Sequence, residues 1–114
     1  MGKVILIADA EESSREALKK SLAATHSLIV VESSEHASRI LKANKHITTL
    51  FLGIDENVAD LNIVSAIRSD HPDVKLVVMV GRKQDDLGVK AVKKGAHGYV
   101  VKPLTPQEAV ALTG

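Results

Sequence analysis

The sequence predicts an α/β fold: a doubly wound parallel sheet of five strands with helices on both faces. Three observations carry that prediction. Five short apolar runs alternate with helical patterns from end to end. Three of those runs show no polar–apolar alternation, as strands covered on both faces require. The connections are short, so each strand returns through a helical, right-handed crossover.

Val4 to Ala8 (VILIA) is the first strand. Ser13-Ser14-Arg15-Glu16 has the pattern of a capping box, opening a helix with Ala17, Leu18, Ser21 and Leu22 at helical spacing. Leu28 to Val31 is the second strand. Ser33 or Ser34 caps the next helix, whose inner face holds Ala37, Ile40 and Leu41, and Asn44 stops it. Leu50 to Ile54 (LFLGI) reads as the third strand, followed by a polar loop from Asp55 to Asn62. A helix with Ile63, Val64 and Ile67 inward then closes at the breaker Asp70-His71-Pro72. Lys75 to Val80 is the fourth strand. The fourth helix carries Leu87, Ala91 and Val92 inward and stops at Gly95. Gly98 to Val101 is the fifth strand. Thr105 caps a last helix with Pro106 at its first position and Glu108 at its third. This pattern supports the flavodoxin-like strand order 2-1-3-4-5.

Composition bounds the function. At 114 residues the chain reads as one domain, residues 1–114, cut from a longer chain because the last helix is short. Hydrophobic residues make up 45% and charged residues 25%, the balance of a soluble globule, and a cytoplasmic location is expected. A formal charge of +1 gives no pull toward nucleic acid or an anionic membrane, and no apolar run is long enough to span one. Aromatics are 2%, Tyr99 and Phe51, which argues against a base-stacking surface. With no cysteine, thiol chemistry and thiolate metal sites are excluded.

In sheets of this kind, sites form beyond the C-terminal strand ends, near the switch between strands 1 and 3. That rule selects Asp9 to Glu11, Gly53 to Asp55, Gly81 to Lys83, and Lys102-Pro103. No GxGxxG, P-loop, GxSxG or HExxH pattern is present, and no enzymatic activity is expected. His26, His36, His46, His71 and His97 fall in separate loops and helix starts without ligand spacing, and read as solvated. Lys90, Lys93 and Lys94 read as a solvated helix face, with a docking surface as the alternative.

Two strings in these loops carry a resemblance: Val4-Ile5-Leu6-Ile7-Ala8-Asp9-Ala10-Glu11, and Gly95-Ala96-His97-Gly98-Tyr99-Val100-Val101-Lys102-Pro103. Over essentially its whole length the chain resembles receiver domains of bacterial two-component response regulators. The resemblance implies a pocket in which two acids after strand 1 and an aspartate ending strand 3 hold Mg²⁺. The strand 3 aspartate accepts phosphoryl from a histidine kinase. A hydroxyl residue ending strand 4 and a lysine on strand 5 bind the phosphoryl oxygens, and a strand 5 aromatic switches inward or outward.

Carried over by position, Asp9 matches the first acid, and Tyr99, Lys102 and Pro103 match the switch aromatic and the Lys-Pro pair, whose bond is usually cis in the family. Ala10 replaces the second acid, Gly53 falls on the acceptor and Gly81 on the hydroxyl residue. The chain thus resembles a pseudo-receiver with no phosphoacceptor and no cofactor, in which Lys102 pairs with Asp9 as a remnant of the phosphate pocket. A slip of two residues would instead put Asp55 at the acceptor place, with Asp9 and Asp55 as Mg²⁺ ligands; Glu56 is a weaker candidate. Periodicity does not separate these registers, because a two-residue slip keeps the face. Ile67 follows Gly53 by fourteen residues and Asp55 by twelve, and the longer spacing fits the family better. The implied partners are a histidine kinase or an output domain, met through helix 4, strand 5 and helix 5, or a second copy in a homodimer.

Overall fold

The computed structural model describes residues 3–55 and 58–113. Its elements are β1 (Val4–Ala8), α1 (Glu12–Leu22), β2 (Ser27–Val31), α2 (Ser34–Ala43) and β3 (Ile47–Gly53), then α3 (Val58–Asp70), β4 (Lys75–Val80), α4 (Asp85–Lys93), β5 (Gly98–Val101) and α5 (Pro106–Thr113). All paired strands are parallel, in the order β2-β1-β3-β4-β5 that the sequence predicts.

Strand side chains alternate between faces, so the sheet builds two cores. On one face Ile5, Ile7, Phe51, Val77 and Met79 meet Leu18 and Leu22 of α1 and Ala109 of α5. On the other, Leu6, Leu50, Leu52, Leu76 and Val78 meet Ala37 and Leu41 of α2, Val64 and Ile67 of α3, and Leu87 and Ala91 of α4. With almost no aromatics, branched aliphatic chains fill both layers, and Phe51 is fully buried.

Helix ends follow local chemistry. Ser33 caps α2 by accepting the His36 N–H at 3.1 Å, and Asn44 ends that helix. Thr105 and Glu108 form a reciprocal capping box on α5: Thr105 Oγ1 accepts the Glu108 N–H at 3.1 Å, and Glu108 Oε1 accepts the Thr105 N–H at 3.0 Å. After α4, Gly95 takes φ 121°, and the Ala96 N–H returns to the Ala91 carbonyl, the closure that a left-handed glycine permits.

Several sequence expectations need correction. Ser13 and Ser14 cap nothing: α1 starts at Glu12 without a side-chain cap, because Asp9 closes the preceding turn itself. Strand β3 runs from Ile47 to Gly53 rather than from Leu50 to Ile54, since β1 and β4 pair with its earlier residues at Val4↔Ile47 and Thr49↔Lys75. The polar loop after it is shorter than expected, with helix from Val58. Val92 is exposed, because Leu87, Gly88 and Ala91 already make the inner stripe of α4 and the next position turns to solvent. Of the histidines, His71 departs from the solvated reading, with Nε2 buried; His26 is half-buried and His97 exposed, and each also accepts a backbone N–H at its Nδ1, from Lys3 and Leu76, at 3.0 Å.

Candidate functional site

Asp9 follows directly on β1, whose last pair, Ala8↔Leu52, sets Asp9 level with Gly53 at the end of β3. Gly53 pairs in turn with Met79 of β4. Asp9, Gly53 and the start of the β4–α4 loop therefore share one rim of the sheet. Asp55 lies two residues beyond that rim, exposed, with its N–H donated to Asp60 Oδ2 at 3.2 Å. Glu56 lies outside the described residues.

The centre of the site is an ion pair. Lys102 Nζ lies 2.8 Å from Asp9 Oδ2 and 3.4 Å from Glu11 Oε1. The Asp9 side chain is 5% exposed and that of Lys102 18%, so the pair sits largely out of water. Two charges can be buried this way only if their remaining hydrogen-bonding capacity is met nearby. Asp9 Oδ1 accepts the Glu11 N–H at 3.0 Å, which satisfies its second oxygen. Arg15 Nη1 donates to the Asp9 carbonyl at 2.8 Å and anchors the turn to α1. Lys102 follows β5, an edge strand three places from β1 in the sheet. Its N–H continues the ladder to the Val80 carbonyl at 2.8 Å, and its bond to Pro103 is cis.

Two of the three positions that the resemblance marks as lacking the expected side chain are filled from the side. A Cβ on Gly53 would overlap the carboxyl group of Asp9. A Cβ on Gly81 would lie 2.8 Å from Gln84 Oε1, which already accepts the Gly81 N–H at 3.0 Å. Ala10 is exposed and brings no oxygen. Tyr99 is not in this pocket: its hydroxyl donates to Asp85 Oδ2 at 3.0 Å, and its ring lies against Gly88 of α4.

A cleft of about 370 Å³ lies over the pair, bounded by Asp9, Gly53, Asp55, Asp60, Glu35 and Lys102. Burial pushes the Asp60 carboxyl above its ordinary value, against the lowering effect of the Asp55 N–H, and the nearby Asp55 charge adds to the rise. An adjoining cleft of about 460 Å³ runs past Ser14, Leu18, Arg82 and Leu104.

The donors present do not fit Mg²⁺. That ion needs an octahedral set of oxygens with carboxylate charge to hold it. Ala10 and Gly53 contribute none, and Asp9 is already engaged by an ammonium and an N–H. Among the described residues, no group of three His, Cys, Asp or Glu side chains is placed to hold a metal ion.

Sequence reasoning missed Gln84, Gly88 and Asp85 as parts of this region, though it had selected the loop from Asp9 to Glu11. The signal for Gln84 was its place three residues after a glycine that ends a strand, within reach of that glycine's N–H. Gly88 left no such signal, because a glycine inside a helix does not disclose which distant side chain crosses it.

Residues 5–113 match the family model of the response regulator receiver domain. The chain belongs to that family and is a receiver domain of the two-component type. It is 24% identical over 114 residues to the phosphate regulon transcriptional regulatory protein PhoB of Pseudomonas aeruginosa, covering 97% of this chain and 50% of that protein. It is 26% identical over 111 residues to the DNA-binding transcriptional regulator NtrC of Proteus hauseri, covering 95% of this chain and 23% of that protein. The chain thus spans half or less of the length of these relatives. Among solved structures it resembles a response regulator from Thermotoga maritima, with a TM-score of 0.86 at 24% identity over 99% of this chain and 98% of that one. A response regulator receiver domain protein from Clostridium thermocellum gives 0.84 at 24% identity, over 96% and 90%. At these identities the likeness speaks to the fold alone. Among the described residues, no helix is long and apolar enough to cross a membrane.

Proposed function

We propose that this receiver domain is a pseudo-receiver: a cytoplasmic, non-enzymatic signalling module that works through protein contacts, without phosphorylation at the end of β3 and without a bound cofactor. The observation that carries this reading is the pairing of Asp9 with Lys102 in the space that a side chain at Gly53 would need. An acyl phosphate requires an oxygen nucleophile, and Gly53 has none. The two charges that would otherwise face a metal and a phosphoryl group neutralise one another.

Partners on this reading are a histidine kinase, an output domain or a second copy, met through α4, β5 and α5. Val89 and Val92 on α4 and Val110 on α5 are exposed, flanked on α4 by the exposed Lys90, Lys93 and Lys94. Exposed aliphatic side chains ringed by charge are what a protein partner covers.

Incubation with acetyl phosphate and Mg²⁺, followed by intact-mass measurement, tests the reading. No gain of a phosphoryl group is expected. A gain that maps to Asp55 would overturn it, and would show that the cleft shared by Asp9 and Asp55 recruits an acceptor beyond the end of the strand.

A further inference from the structure

The cleft of about 370 Å³ over Asp9 and Lys102 has two acidic walls and an apolar floor. The chain after β2 supplies one wall, with Glu32 and Glu35, and the chain after β3 supplies the other, with Asp55 and Asp60. Ala8 and Ile54, both buried, line the bottom together with Ala10 and Gly53, and none of these brings a polar side chain.

Little on the protein answers the charge of the walls. The one ammonium lining the cleft, Lys102, is committed to Asp9 and Glu11. Arg15 lies 3.8 Å from Glu32. Among the described residues, Glu35 and Asp60 enter no ion pair. Burial holds the Asp60 carboxyl above its ordinary value, and the Asp55 and Glu35 charges add to that rise, as expected where a nearby cation is lacking.

Ser34, the first residue of α2, is an independent sign of a ligand. It is 9% exposed, it lines the same cleft, and its Oγ makes no hydrogen bond among the described residues. The one fully enclosed side-chain atom without a partner among them is His71 Nε2, so the Ser34 hydroxyl is not sealed in the interior. It opens on the cleft it lines, as an acceptor with nothing to accept. Buried polar groups in folded proteins are otherwise partnered.

We propose that this cleft binds a linear aliphatic di- or polyamine, with ammonium groups on the two walls at Glu35 and Asp60, an N–H donated to Ser34 Oγ, and methylene groups over Ala10 and Gly53. Mg²⁺ demands a tight octahedron of oxygens, whereas these carboxylates stand on separate walls of a wide cleft. Each ammonium needs only a few acceptors at hydrogen-bonding distance, and a chain of them spreads its charge along the walls. The small residues at positions 10 and 53 give no oxygen to a metal and leave apolar surface that a methylene chain covers. The inference goes beyond the pseudo-receiver reading and uses the cleft alone, so the two stand or fall separately.

Spermidine titrated into the chain at low ionic strength, followed by calorimetry and by amide chemical shifts, is the test. Saturable binding at a single site is expected, with the largest shifts at Ser34, Glu35 and Asp60. Glu35→Gln and Asp60→Asn should each weaken Kd about tenfold, the loss of one charge-assisted hydrogen bond, and Ser34→Ala about threefold. Asp86→Asn, which removes an exposed carboxylate of α4 outside the cleft, should leave Kd unchanged. Shifts that spread over the acidic surface without saturating, equal weakening by Asp86→Asn and Glu35→Gln, or displacement of spermidine by equimolar Mg²⁺ would each overturn the proposal. Spermidine binding at this site in a chain that also takes phosphoryl at Asp55 would remove the pseudo-receiver reading and leave the amine site standing.

Discussion

The carboxyl group of Asp9 occupies the space that any side chain at Gly53 would need. That Gly53 carries no side chain and that Asp9 keeps its charge, read separately in the sequence, are therefore one structural fact. Without a side chain on β3, the acid after β1 leans across the rim and meets the ammonium of Lys102 at 2.8 Å.

Gly53→Asp is expected to destabilise the fold rather than restore an acceptor. The backbone at Gly53 is not among those with positive φ, so the residue change is tolerated locally and its cost is contact with Asp9. A second carboxylate must displace the first from Lys102 or lie against it, a loss of about 1–3 kcal/mol. Urea unfolding followed by far-UV circular dichroism measures it. Gly53→Ala separates the steric part from the charge part, and only the latter responds to salt.

Lys102→Met should cost about 3 kcal/mol, because it leaves the Asp9 carboxylate buried without its counter-charge. Pairing it with Asp9→Leu should recover a large share, since two apolar groups of similar size need no mutual charge. The double-mutant cycle from unfolding midpoints gives the coupling, and additive losses would show that the pair contributes nothing specific.

Asp60 gives a pH dependence with a definite sign. Its folded-state carboxyl holds its proton more tightly than the unfolded one, mainly through burial. The folded state thus binds more protons as pH rises from the ordinary carboxylate value, and stability falls until the raised value is passed. Asp60→Asn should remove that fall and raise stability at neutral pH by under about 1 kcal/mol, given its partial exposure. The comparison of unfolding midpoints between acid and neutral pH is the check.

The Tyr99 phenol should titrate above its ordinary value of 10.0, because its hydroxyl donates to the Asp85 carboxylate and ionisation would set two negative charges together. Ultraviolet titration of the single tyrosine follows this directly. In Asp85→Asn the midpoint should move back toward the ordinary value.

Thr105→Ala removes one half of the capping box on α5 and should cost about 1 kcal/mol. Amide exchange should quicken at Glu108 before it does at the core strands. Equal loosening of β1 would show that the cap supports more than its own helix.

Much of this architecture was legible because it depends on local rules. VILIA and KLVVMV can only be strands covered on both faces, and Thr105-Pro106-Gln107-Glu108 spells out its own helix start. The errors fall where a distant partner overrides the local pattern. Ser13 and Ser14 look like caps, yet Asp9 turns the chain first. The early residues of β3 look polar, yet strands on both sides recruit them.

What the sequence by itself determined was the order of elements, through periodicity, while its resemblance to receiver domains drew attention to Asp9, Gly53, Gly81 and Lys102 and left Gly53 and Asp55 both open as the acceptor position. Only the tertiary structure decided how the gaps are filled: Asp9 at Gly53, Gln84 at Gly81 and Tyr99 at Gly88. A glycine announces that a side chain is missing, but which neighbour takes the space depends on packing between strands and helices far apart in sequence. Close packing leaves no such volume empty.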